Sequence, residues 1–131
     1  MNIVWPAPPG STELPRWDGQ DFVIGHERRK VLSYESAVGH WTPEFTALHE
    51  AEAGVHHPID QASRRLAVES IRRLGHRRNP VILDIGCSSG FLLEELRQRI
   101  TGVTLIGADV ILPPLLTLAE RIPGVPLLQF E

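Results

Sequence analysis

The spacing of apolar residues changes near residue 80. Before that point, residues 58–75 place apolar side chains at roughly helical intervals between Pro58 and Gly75, residues typical of the two ends of a helix. Beyond it, short apolar runs alternate with amphipathic segments. The pattern predicts strands over 81–85, 103–108 and 125–130 and helices over 89–100 and 113–122. Alternating strands and helices predict right-handed crossovers and a parallel sheet, which is an α/β fold of the Rossmann-like, doubly wound type.

The segment before residue 80 differs from the rest of the chain in composition and in predicted secondary structure. Residues 1–20 are rich in proline and glycine and predict an extended arm, which Trp5 and Trp17 would hold against a surface. A helical turn is expected over 26–36, and a helix over 42–53 with Thr42 as its N-cap. We therefore predict three parts: an arm (1–20), a helical lead-in or lid (21–78) and a partial Rossmann-like domain (79–131).

Net charge and composition limit the classes of function and the partners that the sequence predicts. The formal net charge is −3, without the basic field that binds a phosphate backbone, so nucleic acid is not an expected partner. No apolar run reaches the length of a membrane span, and a single cysteine, Cys87, excludes an internal disulfide. We expect a cytoplasmic protein. The histidines near residue 50 do not predict a metal site, because Ala53 stands where the HExxH pattern needs its second histidine.

The candidate chemistry lies in DIGCSSG, at the end of the first predicted strand after residue 80. Ligands of open parallel sheets bind beyond the carboxyl ends of the strands. Gly86 permits a tight exit turn, and Gly90 permits close helix packing and close approach of a ligand. The spacing GxxxG differs from the dinucleotide pattern GxGxxG, which weakens a pyrophosphate-binding interpretation.

The string VILDIGCSSGFLLEEL resembles the first motif of class I S-adenosylmethionine-dependent methyltransferases. The resemblance covers roughly residues 81–130 and implies a site for S-adenosylmethionine. It implies that the glycine loop lies against the methionine part of the cofactor, that an acid in the strand organises the loop, and that Asp109, about 25 positions later, holds the ribose hydroxyls. The implied cofactor-binding residues are Asp84, Gly86, Cys87, Ser88, Gly90 and Asp109. One departure is Ser88, where the family more commonly has glycine.

A looser resemblance links residues 41–71 to the helical lead-in of methyltransferases near sugar or secondary-metabolite chemistry, which implies that Trp41, His56 and His57 belong to a lid. The expected reaction is methyl transfer to a small-molecule acceptor, with no catalytic base assigned. The alternatives are a non-catalytic domain that serves assembly and a NAD-binding oxidoreductase domain. For Asp84 and Asp109, the alternative is an acid that merely caps a strand end.

The resemblance also implies that the chain is truncated after its third predicted strand. The first of these strands, central in the complete family sheet, is then expected to be an apolar edge, and such an edge favours pairing with a second copy.

Overall fold

The computed structural model describes residues 3–34, 44, 47, 48, 51, 56–74 and 79–130. Within them, seven strands are β1 (Arg16–Trp17), β2 (Phe22–Ile24), β3 (Glu27–Arg29), β4 (Val31–Ser33), β5 (Val81–Ile85), β6 (Thr104–Asp109) and β7 (Leu127–Gln129). Three helices are α1 (Pro58–Arg73), α2 (Phe91–Arg99) and α3 (Leu112–Arg121). The strands and helices after residue 80 follow the predicted order, which confirms the α/β class.

The main sheet has the strand order β4-β7-β6-β5, and each neighbouring pair is parallel. Strands β5, β6 and β7 are connected through α2 and α3, as an alternating pattern requires. The sequence explains both ends of α1. Pro58 begins the helix, and Asp60 lies in its first turn, where a negative charge interacts favourably with the helix dipole. Arg72 and Arg73 lie in its last turn, where positive charges do the same.

One face of the sheet packs against the three helices. Leucines supply most of this core, which also includes the only cysteine. The fully buried members are Val68, Leu93, Leu96, Leu115, Leu118 and Leu127. Because Val68 belongs to α1 and Leu93 to α2, the helix before residue 80 and the helix after it share one apolar layer.

The other face is covered by the N-terminal segment. Strands β1, β2 and β3 form an antiparallel sheet, and a second apolar cluster joins it to the main sheet. Trp5 is buried and meets the ring of Phe22 edge to face, with centroids 5.1 Å apart. At the rim, Asp21 pairs with Lys30 at 2.7 Å and with Arg28 at 3.1 Å. The arm therefore lies along a surface, held by its tryptophan.

The helical turn predicted over 26–36 is wrong. Residues 27–29 and 31–33 are strands, because Gly25, at a φ of +57°, turns the chain into a β2–β3 hairpin and Val31 and Leu32 are buried in the sheet. Strand β4, inside the predicted lead-in, thus becomes a member of the main sheet. Residues 44, 47, 48 and 51 are helical, while Thr42 and most of the predicted helix over 42–53 lie outside the described residues. The three-part division stays a prediction.

Strand β5 is an edge of the sheet formed by the described residues. Its odd-numbered side chains point away from the helices and are exposed: Val81 by 47%, Leu83 by 46% and Ile85 by 70%. The even-numbered Ile82 packs against the helical core. The N-terminal sheet that covers β4, β7 and β6 thus leaves an apolar surface uncovered at β5.

In the described part of the chain, no helix is long and apolar enough to span a membrane.

Candidate functional site

The loop after β5 is fastened to the neighbouring strand. Ile85 is aligned with Ala108 in the sheet, and the carbonyl of Ala108 accepts hydrogen bonds from the backbone N–H groups of Gly86, at 2.8 Å, and Cys87, at 3.0 Å. Residue 109 follows directly. The sheet register therefore brings the glycine loop and Asp109 together at the carboxyl ends of β5 and β6.

Three residues of this loop have a left-handed backbone. Gly86 has a φ of +76°, Ser88 of +48° and Gly90 of +75°. A Cβ at Gly86 would meet no atom within 4 Å, whereas one at Gly90 would collide with the side chain of Leu118. Gly86 is thus needed for its backbone, and Gly90 for backbone and packing together. Ser88, which departs from the family pattern, adopts a conformation that costs a non-glycine residue about 1 kcal/mol.

Asp109 is held against the loop through both carboxylate oxygens. Oδ2 accepts a hydrogen bond from the N–H of Ser88 at 2.8 Å, and Oδ1 accepts one from the N–H of Ile111 at 3.1 Å. Each carboxylate oxygen has two acceptor positions, so both oxygens can accept a further hydrogen bond from a ligand. The arrangement gives a fixed, half-buried acceptor at the edge of the loop.

Asp84 lies on the same strand face as Ile82 and is aligned with Gly107 of β6. Burial, together with the nearby negative charge of Asp109, raises the pKa of Asp84 to about 6. The charge of Asp109 disfavours the ionised form of Asp84, and a cationic group at the site would relieve this unfavourable interaction. Such a group would bind and, at the same time, favour the charged form of Asp84.

Cys87 is buried beneath the loop, and its Sγ lies close to the backbone of Gly107, where a Cβ would meet it at 3.1 Å. Burial and the two carboxylates raise the pKa of Cys87 to about 12. The thiol therefore stays protonated at neutral pH, and the chemistry of a thiolate nucleophile is not available to it. Its buried side chain fills the space under the loop.

Helix α2 is anchored at its start by two arginines. The guanidinium groups of Arg64 and Arg121 lie 5.6 and 5.8 Å from the ring centroid of Phe91. Arg64 pairs with Glu95 at 3.1 Å, and Arg121 donates to the Ser89 carbonyl within the loop. These contacts could not be predicted from the sequence, because arginine on a helix is most often solvated and nothing in the local pattern distinguishes Arg64 and Arg121 from the other arginines.

The lid candidates are only partly described. Trp41 lies outside the described residues. His56 is exposed, and His57 precedes α1 with its Nδ1 3.7 Å from Oδ2 of Asp60. Among the described residues, no group of three histidine, cysteine, aspartate or glutamate side chains is arranged to hold a metal ion.

Comparisons with known proteins find matches that include two proteins of similar sequence and one solved structure of similar fold. No family model matches the chain. Two curated relatives are the trans-aconitate 2-methyltransferases of Acidovorax sp. (strain JS42) and Acidovorax ebreus (strain TPSY), each 30% identical over 84 residues, which is 64% of this chain and 33% of the relative. The chain therefore spans about a third of their length.

A solved structure is also similar. It is an amino pentose methyltransferase from Micromonospora echinaspora, involved in calicheamicin biosynthesis and bound to SAM, with 23% identity and a TM-score of 0.45 over 73% of this chain and 38% of that chain. The chain is thus similar in sequence to part of two trans-aconitate 2-methyltransferases, and its described residues form a Rossmann-like parallel sheet with a glycine loop after β5.

Proposed function

We propose that this chain binds S-adenosylmethionine at the carboxyl ends of β5 and β6, as the cofactor-binding part of a methyltransferase. The observation that carries the proposal is the Asp109 carboxylate, which is fixed by the N–H groups of Ser88 and Ile111 at the edge of the glycine loop. When bound, the cofactor supplies a methyl group on a sulfonium, and the protein supplies orientation and a shaped site.

The ribose is the part of the cofactor that Asp109 suits. A carboxylate accepts from two neighbouring hydroxyls at once, and the two backbone hydrogen bonds of Asp109 fix its direction before a ligand arrives. Pre-orientation lowers the entropy that binding must remove. Asp109 would therefore select a ribose that carries both hydroxyls.

The charge of the site suits a cationic ligand. S-adenosylmethionine has a sulfonium and an ammonium group, and Asp84 and Asp109 supply two carboxyl groups near the loop. Binding would bring Asp84 into its charged form and release a proton near pH 6. Gly86, Cys87, Ser88 and Gly90 would line the methionine part of the cofactor, with Gly86 leaving open space above the loop.

The acceptor is proposed to be a small molecule, because the two methyltransferases that the chain resembles are named for a small molecule, trans-aconitate. The described residues assign no catalytic base. A non-catalytic binding domain is the alternative within the same fold. A NAD-binding oxidoreductase domain has less support, because the loop lacks the glycine spacing of a pyrophosphate site.

Calorimetric titration with S-adenosylhomocysteine tests the proposal, with NAD as the comparison ligand. The chain should bind S-adenosylhomocysteine, and Asp109→Ala should weaken binding at least tenfold, because it removes the diol acceptor and releases the loop. Asp60→Ala, which removes a carboxylate at the start of α1, is the matched control and should bind normally. Selective binding of NAD, or of neither ligand, would contradict the assignment.

We propose three further properties of the chain. The apolar surface of β5 suits pairing with a second copy of the chain, because an exposed edge strand presents unpaired backbone groups beside apolar side chains. The net charge of −3 argues against nucleic acid as a partner. The single, buried cysteine suits a reducing, cytoplasmic setting.

A further inference from the structure

Gln129 is a buried polar side chain at the end of β7, only 4% exposed. Its Nε2 donates to the carbonyl of Val110 at 3.2 Å, and its Oε1 accepts from the hydroxyl of Ser33 at 2.8 Å. A carbonyl can only accept, so the amide nitrogen must face Val110 and the serine must donate. The side chain thus connects β4, β7 and the turn that follows β6.

The turn after β6 joins this amide to Asp109 through one peptide group. The carbonyl of Val110 is held by Gln129, and the N–H of the same peptide, which belongs to Ile111, is held by Oδ1 of Asp109 at 3.1 Å. A trans peptide is planar, with its carbonyl and N–H pointing in opposite directions. Fixing the carbonyl therefore fixes the direction in which the N–H meets the carboxylate.

The backbone of β7 gives the same turn a second support. The N–H of Phe130 donates to the carbonyl of Asp109 at 3.2 Å, and the N–H of Tyr34 donates to the carbonyl of Gln129 at 2.8 Å. The last residue of β6 is thus held by the residue that follows β7, and the last residue of β7 is held by the residue that follows β4. These bonds hold the main chain at Asp109 and at Gln129. The Gln129 amide, in addition, holds the Val110–Ile111 peptide through the Val110 carbonyl.

We propose that Gln129, held by Ser33, is a positioning residue that sets the direction of the Asp109 carboxylate for the two hydroxyls of a ribose. The inference rests on the proposed function, since it names what tunes the same site. It also gives β4 a role in the site: the strand supplies Ser33, which holds the amide.

The test measures selectivity for the diol. Calorimetry compares S-adenosylhomocysteine with its 2′,3′-dideoxy analogue for the native chain, Gln129→Met, Ser33→Ala and Asp109→Ala. Methionine keeps the length and volume of glutamine but cannot hydrogen-bond to Val110. The native chain should prefer the diol at least tenfold, Gln129→Met should lower that preference by about three- to tenfold, Ser33→Ala should lower it less, and Asp109→Ala should abolish it.

A matched control separates positioning from general damage. Leu128→Val perturbs the neighbouring position of β7, which is aligned with Ala108, without removing a hydrogen bond to the turn. It should keep the native preference for the diol even where it lowers stability. A native preference in Gln129→Met would overturn the inference, as would an equal loss in Leu128→Val.

A second readout needs no ligand. Amide hydrogen exchange at Ile111 reports its bond to Asp109, and Gln129→Met should accelerate it while Leu128→Val does not. Native exchange at Ile111 in Gln129→Met would also overturn the inference. If the native chain failed to bind S-adenosylhomocysteine, the proposed function would fail, while the exchange measurement would still decide whether Gln129 positions the carboxylate.

Discussion

Asp84 and Asp109 lie near the carboxyl ends of neighbouring strands, where burial and then the negative charge of Asp109 raise the pKa of Asp84 to about 6. The ordinary pKa of an aspartate side chain is 3.8. The folded protein therefore holds a proton on Asp84 that the unfolded chain releases at lower pH. The ionisation of Asp84 therefore affects both the pH dependence of folding stability and the binding of a cationic ligand at this site.

Stability should depend on pH through Asp84. A pKa that is higher in the folded state contributes stability that is fully present below the unfolded value and is lost as pH rises through the folded value. The contribution of Asp84 to the free energy of unfolding should fall between about pH 4 and pH 6. Asp84→Asn, which cannot ionise, should lack this fall, as measured by urea unfolding at several pH values.

The comparison between native chain and variant isolates Asp84, because Asp18 and Asp21 also titrate with pKa values lowered by their own partners. Those groups contribute equally to both proteins. The two curves should therefore converge near pH 4, and Asp84→Asn should be the more stable protein at pH 7.5. If the two plots of unfolding free energy against pH were parallel, the surroundings of Asp84 would not disfavour its ionised form.

Asp109 should also matter for stability. Asp109→Ala leaves the N–H groups of Ser88 and Ile111 without their carboxylate and removes the anchor of a strained residue, at a cost of about 2 kcal/mol in the free energy of unfolding. Asp109→Asn keeps one acceptor oxygen and should lie between. Urea unfolding at pH 7.5 measures both, and a native value for Asp109→Ala would mean that the two bonds contribute nothing net.

Two glycines of the loop offer a matched pair. Gly86→Ala introduces a side chain at a φ of +76° into open space and should cost about 1 kcal/mol of backbone strain. Gly90→Ala adds a collision with Leu118, whose Cδ2 would lie 2.6 Å from the new Cβ, and should cost about 2–4 kcal/mol. Urea unfolding measures the difference, and equal costs would contradict the close packing of α2 on α3.

The sequence predicted the strands and helices after residue 80 because their apolar period changes where the secondary structure does. It also placed Asp84 and Asp109 at neighbouring strand ends, since consecutive parallel strands align their carboxyl ends. Their roles in binding stay predictions. The hydrogen bond between Asp109 and Ser88 could not be predicted, because it depends on the left-handed conformation of a residue that is not glycine.

The N-terminal segment was harder to predict. Strands of two or three residues carry too little period to separate them from a turn, and β4 becomes a strand through a partner, β7, almost a hundred residues later in the chain. The same distance hides the bond between Ser33 and Gln129. Long-range pairing, which local propensity does not encode, decides both.

The exposed surface of β5 should drive self-association. Leu83 lies at the centre of the strand, between exposed neighbours on the same face, and is 46% exposed. Leu83→Lys should weaken association, because a charge on an edge strand disfavours pairing with another strand. Sedimentation velocity over a range of protein concentrations should show a dimer for the native chain and mostly monomer for the variant.

Leu116 on α3 provides the matched control, since it is a leucine of similar exposure, 44%, on a helix whose backbone is already hydrogen-bonded. Leu116→Lys makes the same change of charge and should leave the dimer intact. If both variants remained dimeric, the association would use another surface. If the native chain were monomeric throughout, the apolar surface of β5 would not be a self-pairing site, and its exposure would require a different partner.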